Sequence, residues 1–369
     1  VSQLAAHIRQ MIHADGPISV EHFMALALSH PKYGYYMTRN PLGAEGDFVT
    51  SPEISQMFGE LIGLWTAEVW GGLNGPAVLN LVELGPGRGT LMCDALRAAR
   101  VAPLFQSALS VRMVETSPVL ISLQRAALQE MGVSATWHTH VSDVPSGPAV
   151  FIANEFFDAL PVRHYVRTAQ GWCERMVGLD AQGDLIFGVS AQVEPHIHVE
   201  APEGSFLEVA ATAQRVMSDI AQRLVREGGA ALIIDYGYTQ TRLGETLQAM
   251  RAHKAVDPLL DPGEADLTAH VDFAALARAA HAAGAAVYGP VLQGDFLAQL
   301  GIYNRAKSLK KNASPEQIRD IDAGLMRLIS YEMERGVGEA PAPGMGALFK
   351  VMAITHPSQP APPGFAPMR

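Results

Sequence analysis

From residue 78 onward the chain alternates short apolar runs with helical stretches, and this alternation constrains its fold more than any other feature. VLNLVELG (78–85), ALSVRMVE (108–115), the weaker ATWHTH (135–140), AVFIANEF (149–156) and ALIIDYG (231–237) are short and rich in aliphatic residues, as buried strands are. TLMCDALRAAR (90–100) and SPVLISLQRAALQEMG (117–132) lie between the first three and read as helices. The second carries a Ser cap, a Pro in its first turn and a Gly stop. Strands alternating with helices build a parallel sheet covered on both faces. The expected class is therefore α/β with a doubly wound sheet.

The alternation breaks at HYVRTAQGWCERMVGLDAQGDLIFGVS (164–190), which reads as three short strands forming an inserted meander. A long helix follows at 208–229, then the fifth strand, a long loop at 238–270, a helix at 271–284 and a strand at 285–293. The expected organisation has six parts. They are an N-terminal helical segment with a lid loop (1–77), a first part of the core (78–163), the meander (164–207), a second part of the core (208–293), a helical insertion (294–346), and a last strand with a Pro-rich tail (347–369).

Composition narrows the function. Hydrophobic residues are 48% and charged residues 17% of the 369, so the chain can bury a core without staples. A net charge of −10 gives no global field for nucleic acid or anionic lipid. Two cysteines, Cys93 and Cys173, exclude a disulfide framework and a Cys-rich zinc site and fit a reducing compartment. No run of 18 apolar residues marks a membrane span. The first residues lack a signal peptide's apolar core, and the initial Val points to a processed or trimmed start.

The chemistry-bearing motif is VELGPGRGT, where the first strand turns into the first core helix. Gly85, Gly87 and Gly89 allow a sharp turn, and a helix N-terminus offers free N–H groups. A dinucleotide fingerprint would place Gly at position 90, which is Thr here, so a nicotinamide enzyme ranks last among the readings. Glu83 before the turn suits a cofactor with an amino group and a carboxylate but no pyrophosphate. Glu115 ends the second strand, where an acid accepts hydrogen bonds from ribose hydroxyls. It can equally favour the start of the helix capped at Ser117. Glu83, the glycines and Glu115 in this order are the pattern of class I S-adenosylmethionine methyltransferases.

The fourth strand opens into ANEFFDALP, with Asn154, Glu155 and Asp158 clustered, and Asp235 ends the fifth strand. Ligands of open α/β sheets bind beyond the carboxyl ends of the strands, so these groups belong at the reaction centre. Asp158 could also be a helix cap. Paired carboxylates grip a protonated guanidinium, the planar fork of donors on arginine, and orient one nitrogen. No metal site emerges: His196 and His198 sit in a loop, and His138 and His140 share one face of a strand.

HPKYGYYM (30–37), GDFVTSPEISQMFGELIG (46–63), ELGPGRGTLM (83–92), ANEFFDALPV (153–162), DYGY (235–238) and DLTAHVDF (266–273) occur in one order along nearly the whole chain. In these motifs the sequence resembles the MidA-type family of complex I assembly factors, found in mitochondria and bacteria. That resemblance implies a class I methyltransferase using S-adenosyl-L-methionine. It also implies symmetric dimethylation of an arginine on a core subunit of respiratory complex I, in the bacterial cytoplasm or the mitochondrial matrix. It gives Gly85, Gly87, Gly89 and Glu115 to the cofactor, with Phe48, Ser51 and Pro52 from a loop folding over it; together with the reading of the strand ends, Glu83, Ser117 and Asn154 complete the expected cofactor set. Tyr35, Tyr36, Glu53, Asp266, Thr268 and His270 would meet the substrate, and Glu155, Asp158 and Asp235 would be catalytic. Two other readings remain: a small-molecule methyltransferase, and an assembly chaperone retaining the fold. A homodimer through the meander or the 294–340 helices stays open.

Overall fold

The computed structural model describes residues 2–38, 50–333 and 342–365. Its central sheet contains β1 (Leu79–Leu84), β2 (Leu109–Val114), β3 (Ala135–His138), β4 (Ala149–Asn154), β5 (Gly229–Tyr238), β6 (Ala286–Leu292) and β7 (Phe349–Thr355). Their spatial order is β3-β2-β1-β4-β5-β7-β6. β7 runs antiparallel to both of its neighbours, and the other adjacent pairs are parallel. Every residue of β1 and β4 is buried, as the continuous apolar runs require.

Strand order reverses between β1 and β4, because β1 leads outward to β2 while β4 pairs on its other side. Helices cover both faces. On one lie α3 (Gln56–Gly72) and α4 (Thr90–Ala99), packed through Phe58, Trp65, Met92 and Ala95 against Leu81, Ile152 and Leu232. On the other, α6 (Ala211–Glu227) and α7 (Phe273–Ala282) bury Met217, Leu224 and Phe273 against Phe151 and Ile233. α5 (Pro118–Glu130) links β2 to β3 and starts from Ser117, whose hydroxyl accepts from the Leu120 N–H.

The N-terminal helices α1 (Gln3–Asp15) and α2 (Val20–Ser29) form a separate cluster. Leu4, Ile8, Phe23 and Leu28 pack with Tyr35, Val177 and Leu267. The meander is an antiparallel sheet of Arg163–Thr168, Gly171–Leu179, Leu185–Val193 and Phe206–Val209, and Ile18–Ser19 joins its second strand. Two parts of it lie outside the 164–190 reading: the strand before α6 and the one borrowed from the N-terminus.

The stretch 238–270 is not simply a loop. Gln248–Arg251, Lys254–Val256 and Asp266–Thr268 form a small antiparallel sheet. Strands of three and four residues are too short to show periodicity among Gly, Pro and charged neighbours, and burial of Ala249 and Leu267 against the N-terminal cluster holds them. In the C-terminal insertion, helices Gln293–Gln299, Ile302–Lys310 and α8 (Pro315–Ile329) follow one another. Arg305 ties this insertion to α3 by a two-pronged bond to buried Glu60, at 2.7 and 2.9 Å.

Candidate active site

A cleft of about 410 Å³ opens beyond the carboxyl ends of β1, β2, β4 and β5, at the point where strand order reverses. Its lining divides into two halves.

The first half is the glycine turn and the end of β2. Gly85, Gly87 and Gly89 all take positive φ, at 59°, 54° and 85°. A side chain at Gly85 would also strike the Phe156 ring, 3.0 Å from its Cβ position. Gly89 caps α4 from outside the cleft lining. Glu83 is 3% exposed, and its Oε2 has no hydrogen-bond partner. Burial, with Glu115 nearby, pushes its carboxyl up to about 8, against a bond from the Met92 backbone. Glu115 is anchored on both oxygens: Thr116 and Ser117 donate N–H bonds of 2.8 Å to Oε1, and Gln124 Nε2 donates to Oε2 at 3.2 Å.

The second half is acidic. Glu155 follows β4 with φ +50°, a left-handed conformation that costs a non-glycine residue roughly 1–3 kcal/mol. Its carboxylate accepts from Ser51 N at 3.2 Å and from Asn154 Nδ2 at 3.1 Å. Burial, reinforced by Asp158, still raises it to about 8. Asp158 is 5% exposed with Oδ1 unpartnered, and burial raises it to about 6 despite the Tyr236 hydroxyl nearby. Asn154 Oδ1 is a third buried atom without a partner. Tyr36 donates from its hydroxyl to Asp266 at 2.8 Å, and its carbonyl accepts from Ser117 Oγ at 2.6 Å. Thr268 lines the same wall and accepts from Gln248 Nε2 at 3.2 Å.

Several expected site residues lie beside the cleft rather than on it. Asp235 sits under its floor, where Oδ2 accepts from the Phe157 and Asp158 N–H groups at 3.0 and 3.3 Å and Oδ1 from Tyr236 N at 2.9 Å. Its burial and the neighbouring Asp158 and Glu155 hold it well above the carboxylate range. Tyr35 is buried in the N-terminal cluster. His270 packs in a T-shaped contact with Tyr236, ring centres 5.4 Å apart, and is not among the residues lining the cleft. Ser51 acts through its N–H on Glu155 and its hydroxyl on Gln293, 3.5 Å away. Thr50, Pro52 and Glu53 do line the cleft. Glu53 is clasped by the Thr90 hydroxyl at 2.6 Å and lies 3.6 Å from Arg88. Phe48 lies outside the described residues.

Two contributors are not among the expected site residues, although Tyr236 falls within the DYGY motif. Tyr236 lines the acidic wall but reads in sequence as the end of a strand. Gln124 is wholly buried yet polar. Its one sequence signal is its place between Leu120 and Leu128 on an apolar i, i+4, i+8 stripe of α5.

A family described as "Putative S-adenosyl-L-methionine-dependent methyltransferase" matches residues 61–291, more than half of the chain. The chain belongs to that methyltransferase family. A Danio rerio relative, "Protein arginine methyltransferase NDUFAF7, mitochondrial", is 39% identical over 84% of this chain and 79% of its own length. The Homo sapiens protein of the same name is 36% identical over 86% of this chain and 78% of its own. A protein from Burkholderia thailandensis, solved bound to S-adenosyl-homocysteine, superposes with a TM-score of 0.82. It shares 27% identity, covering 99% of this chain and 94% of that one. This methyltransferase has a class I fold, and no helix among its described residues is long and apolar enough to cross a membrane.

Proposed function

We propose that this methyltransferase is a protein arginine N-methyltransferase that symmetrically dimethylates an arginine on a core subunit of respiratory complex I during assembly. The observation that carries this reading is the concentration of carboxyl groups in the second half of the cleft. Glu155, Asp158 and Asp266 line it together, with Asp235 below. Among the described residues that line the cleft, Arg88 is the one Lys or Arg, and it lies toward Glu53. Burial favours the protonated form of these carboxyls, and an acceptor guanidinium placed between them would favour their ionised form and be held by it. The relatives' names support a protein arginine substrate. The complex I target rests on the motif resemblance.

The chain's own groups fit S-adenosyl-L-methionine in the first half. The orphaned Glu83 oxygen suits an ammonium, the N–H groups opening α4 suit a carboxylate, and Glu115 suits a ribose diol. When bound, this cofactor supplies an electrophilic methyl group on a sulfonium. Glu155 and Asp158 grip the guanidinium, withdraw its positive charge toward their own side and turn one nitrogen toward the first half. Asp235 holds the backbone of Phe157 and Asp158 and keeps the wall in place. The proton released from the nitrogen passes to this carboxyl cluster. Pro52, Phe156 and Leu91 wall the cleft with apolar surface that displaces water. The mitochondrial relatives support a matrix location, or the cytoplasm in a bacterium.

The test is methyl transfer from labelled S-adenosyl-L-methionine to purified complex I core subunits, followed by amino-acid analysis. The expected result is symmetric dimethylarginine on one subunit. Label confined to small amines, or absent from polypeptide, would overturn the reading.

A further inference from the structure

The side chain that joins the two strand ends of the cofactor half belongs to neither. Gln124 comes from the middle of α5 and is 0% exposed. Its Nε2 donates to the Gly87 carbonyl at 2.8 Å and to Glu115 Oε2 at 3.2 Å, and its Oε1 accepts from Trp137 Nε1 at 2.8 Å. The orientation of the amide follows from chemistry. An indole N–H is a donor only, so the amide atom facing Trp137 must be the oxygen. The amide nitrogen then necessarily faces two acceptors. Trp137 is set in turn on β3, with the Arg125 guanidinium 4.3 Å from its ring centre. The arrangement therefore joins β3, α5, the glycine turn and the end of β2 through one amide.

Glu115 shows what this achieves. The Thr116 and Ser117 amides hold Oε1, and Gln124 holds Oε2, so the carboxylate cannot rotate about its last bond. A carboxylate that receives two neighbouring hydroxyls has to present a fixed edge, and a freely turning one loses part of that geometry. Gln124 also opposes the burial that raises the Glu115 carboxyl, keeping it a better acceptor. The same nitrogen holds the Gly87 carbonyl, so the glycine turn and the acid are kept at one spacing. A Cβ at Gly89 would lie in ordinary van der Waals contact with Gln124, at 3.6 Å.

We infer that Gln124 is the positioning residue of the cofactor site, fixing the Glu115 carboxylate for a vicinal diol and tying it to the glycine turn. This rests on the reading that the first half binds S-adenosyl-L-methionine, and the experiment separates the two. Binding of S-adenosyl-homocysteine and of its 2′-deoxyribose analogue is measured by calorimetry for wild type, Gln124→Met and Trp137→Phe. Wild type is expected to prefer the ribose form. Gln124→Met is expected to lose roughly tenfold in affinity for the ribose form, the scale of one bond to a charged group, and much less for the deoxy form. Its binding should also fail at a higher pH than wild type, because Glu115 loses a donor and protonates more readily. Trp137→Phe frees the amide to turn and should show the same selective loss, smaller, even if Gln124→Met does not fold. Equal losses for both ligands in the variants would mean a merely structural role and overturn the inference. Unchanged binding would do the same. No binding by wild type would overturn the cofactor reading itself, and this inference with it.

Discussion

The two halves of the cleft are built on opposite principles. In the cofactor half the acid at the end of β2 is anchored on both oxygens by neutral donors, and three glycines shape the turn beside it. In the acceptor half Glu155 sits on a left-handed backbone, Asp158 leaves an oxygen unpartnered, and Asp235 is buried below them. In the first half the ribose-facing acid is anchored before a ligand arrives, and one Glu83 oxygen is left open. The second half gathers several buried carboxyls around one place. The contrast separates a shaped site for a diol and a single ammonium from a cluster suited to a broad, planar cation.

Breaking the acidic half should have the largest effect. Glu155→Gln is expected to slow methyl transfer by on the order of 10²–10³-fold while S-adenosyl-homocysteine binds as before. Single-turnover rates with calorimetry on the same preparation would check this, and an active variant would erase the distinction between the halves. Breaking the other half comes next. Glu115→Ala should weaken S-adenosyl-homocysteine by roughly 10–100-fold, as expected for lost bonds to a charged group. Capture of an arginine compound should be far less affected.

The third prediction concerns pH. Carboxyls whose folded values are raised bind more protons folded than unfolded, so stability is greatest below their ordinary range and falls as pH climbs. Asp158, at about 6, and Glu83 and Glu155, each at about 8, place that fall between about pH 4.5 and 8. The melting temperature of the ligand-free protein should therefore drop across this window. The drop should shrink in Glu155→Gln. A flat profile would mean that these carboxyls titrate alike in the folded and unfolded chain. The smallest effect is expected at the seam. Thr90→Val removes the hydroxyl that clasps Glu53 and should weaken cofactor binding by only several-fold, about 1 kcal/mol.

Much of this division is legible in the residues. The apolar runs ending in Glu83, Glu115, Asn154 and Asp235 place four site groups at strand ends, because parallel strands buried on both faces read as continuous hydrophobic sequence. The order of the strands in space does not follow from periodicity; the pairing of β7 between β5 and β6 depends on contacts across the whole chain. Gln124 shows a second limit. One polar residue in an apolar stripe signals a buried partner, but the sequence cannot say that Trp137, Gly87 and Glu115 are all within reach. His270 shows a third. Its motif places it two residues after Thr268, yet the strand ends at Thr268 and the His270 N–H turns to the Thr246 hydroxyl, so the ring packs on Tyr236 and stays off the lining.

The proposed role of the acidic half is that of a receptor for a guanidinium. The most direct measurement is calorimetric titration of N-acetyl-arginine amide into protein saturated with S-adenosyl-homocysteine, at pH 7, in two buffers of different ionisation enthalpy. Binding with net proton release is expected, because a bound cation draws Glu155, at about 8, into its ionised form beside Asp158. Neither binding nor release is expected to survive in Glu155→Gln combined with Asp158→Asn. Binding with no proton exchange, or no binding by the wild-type protein, would contradict that role.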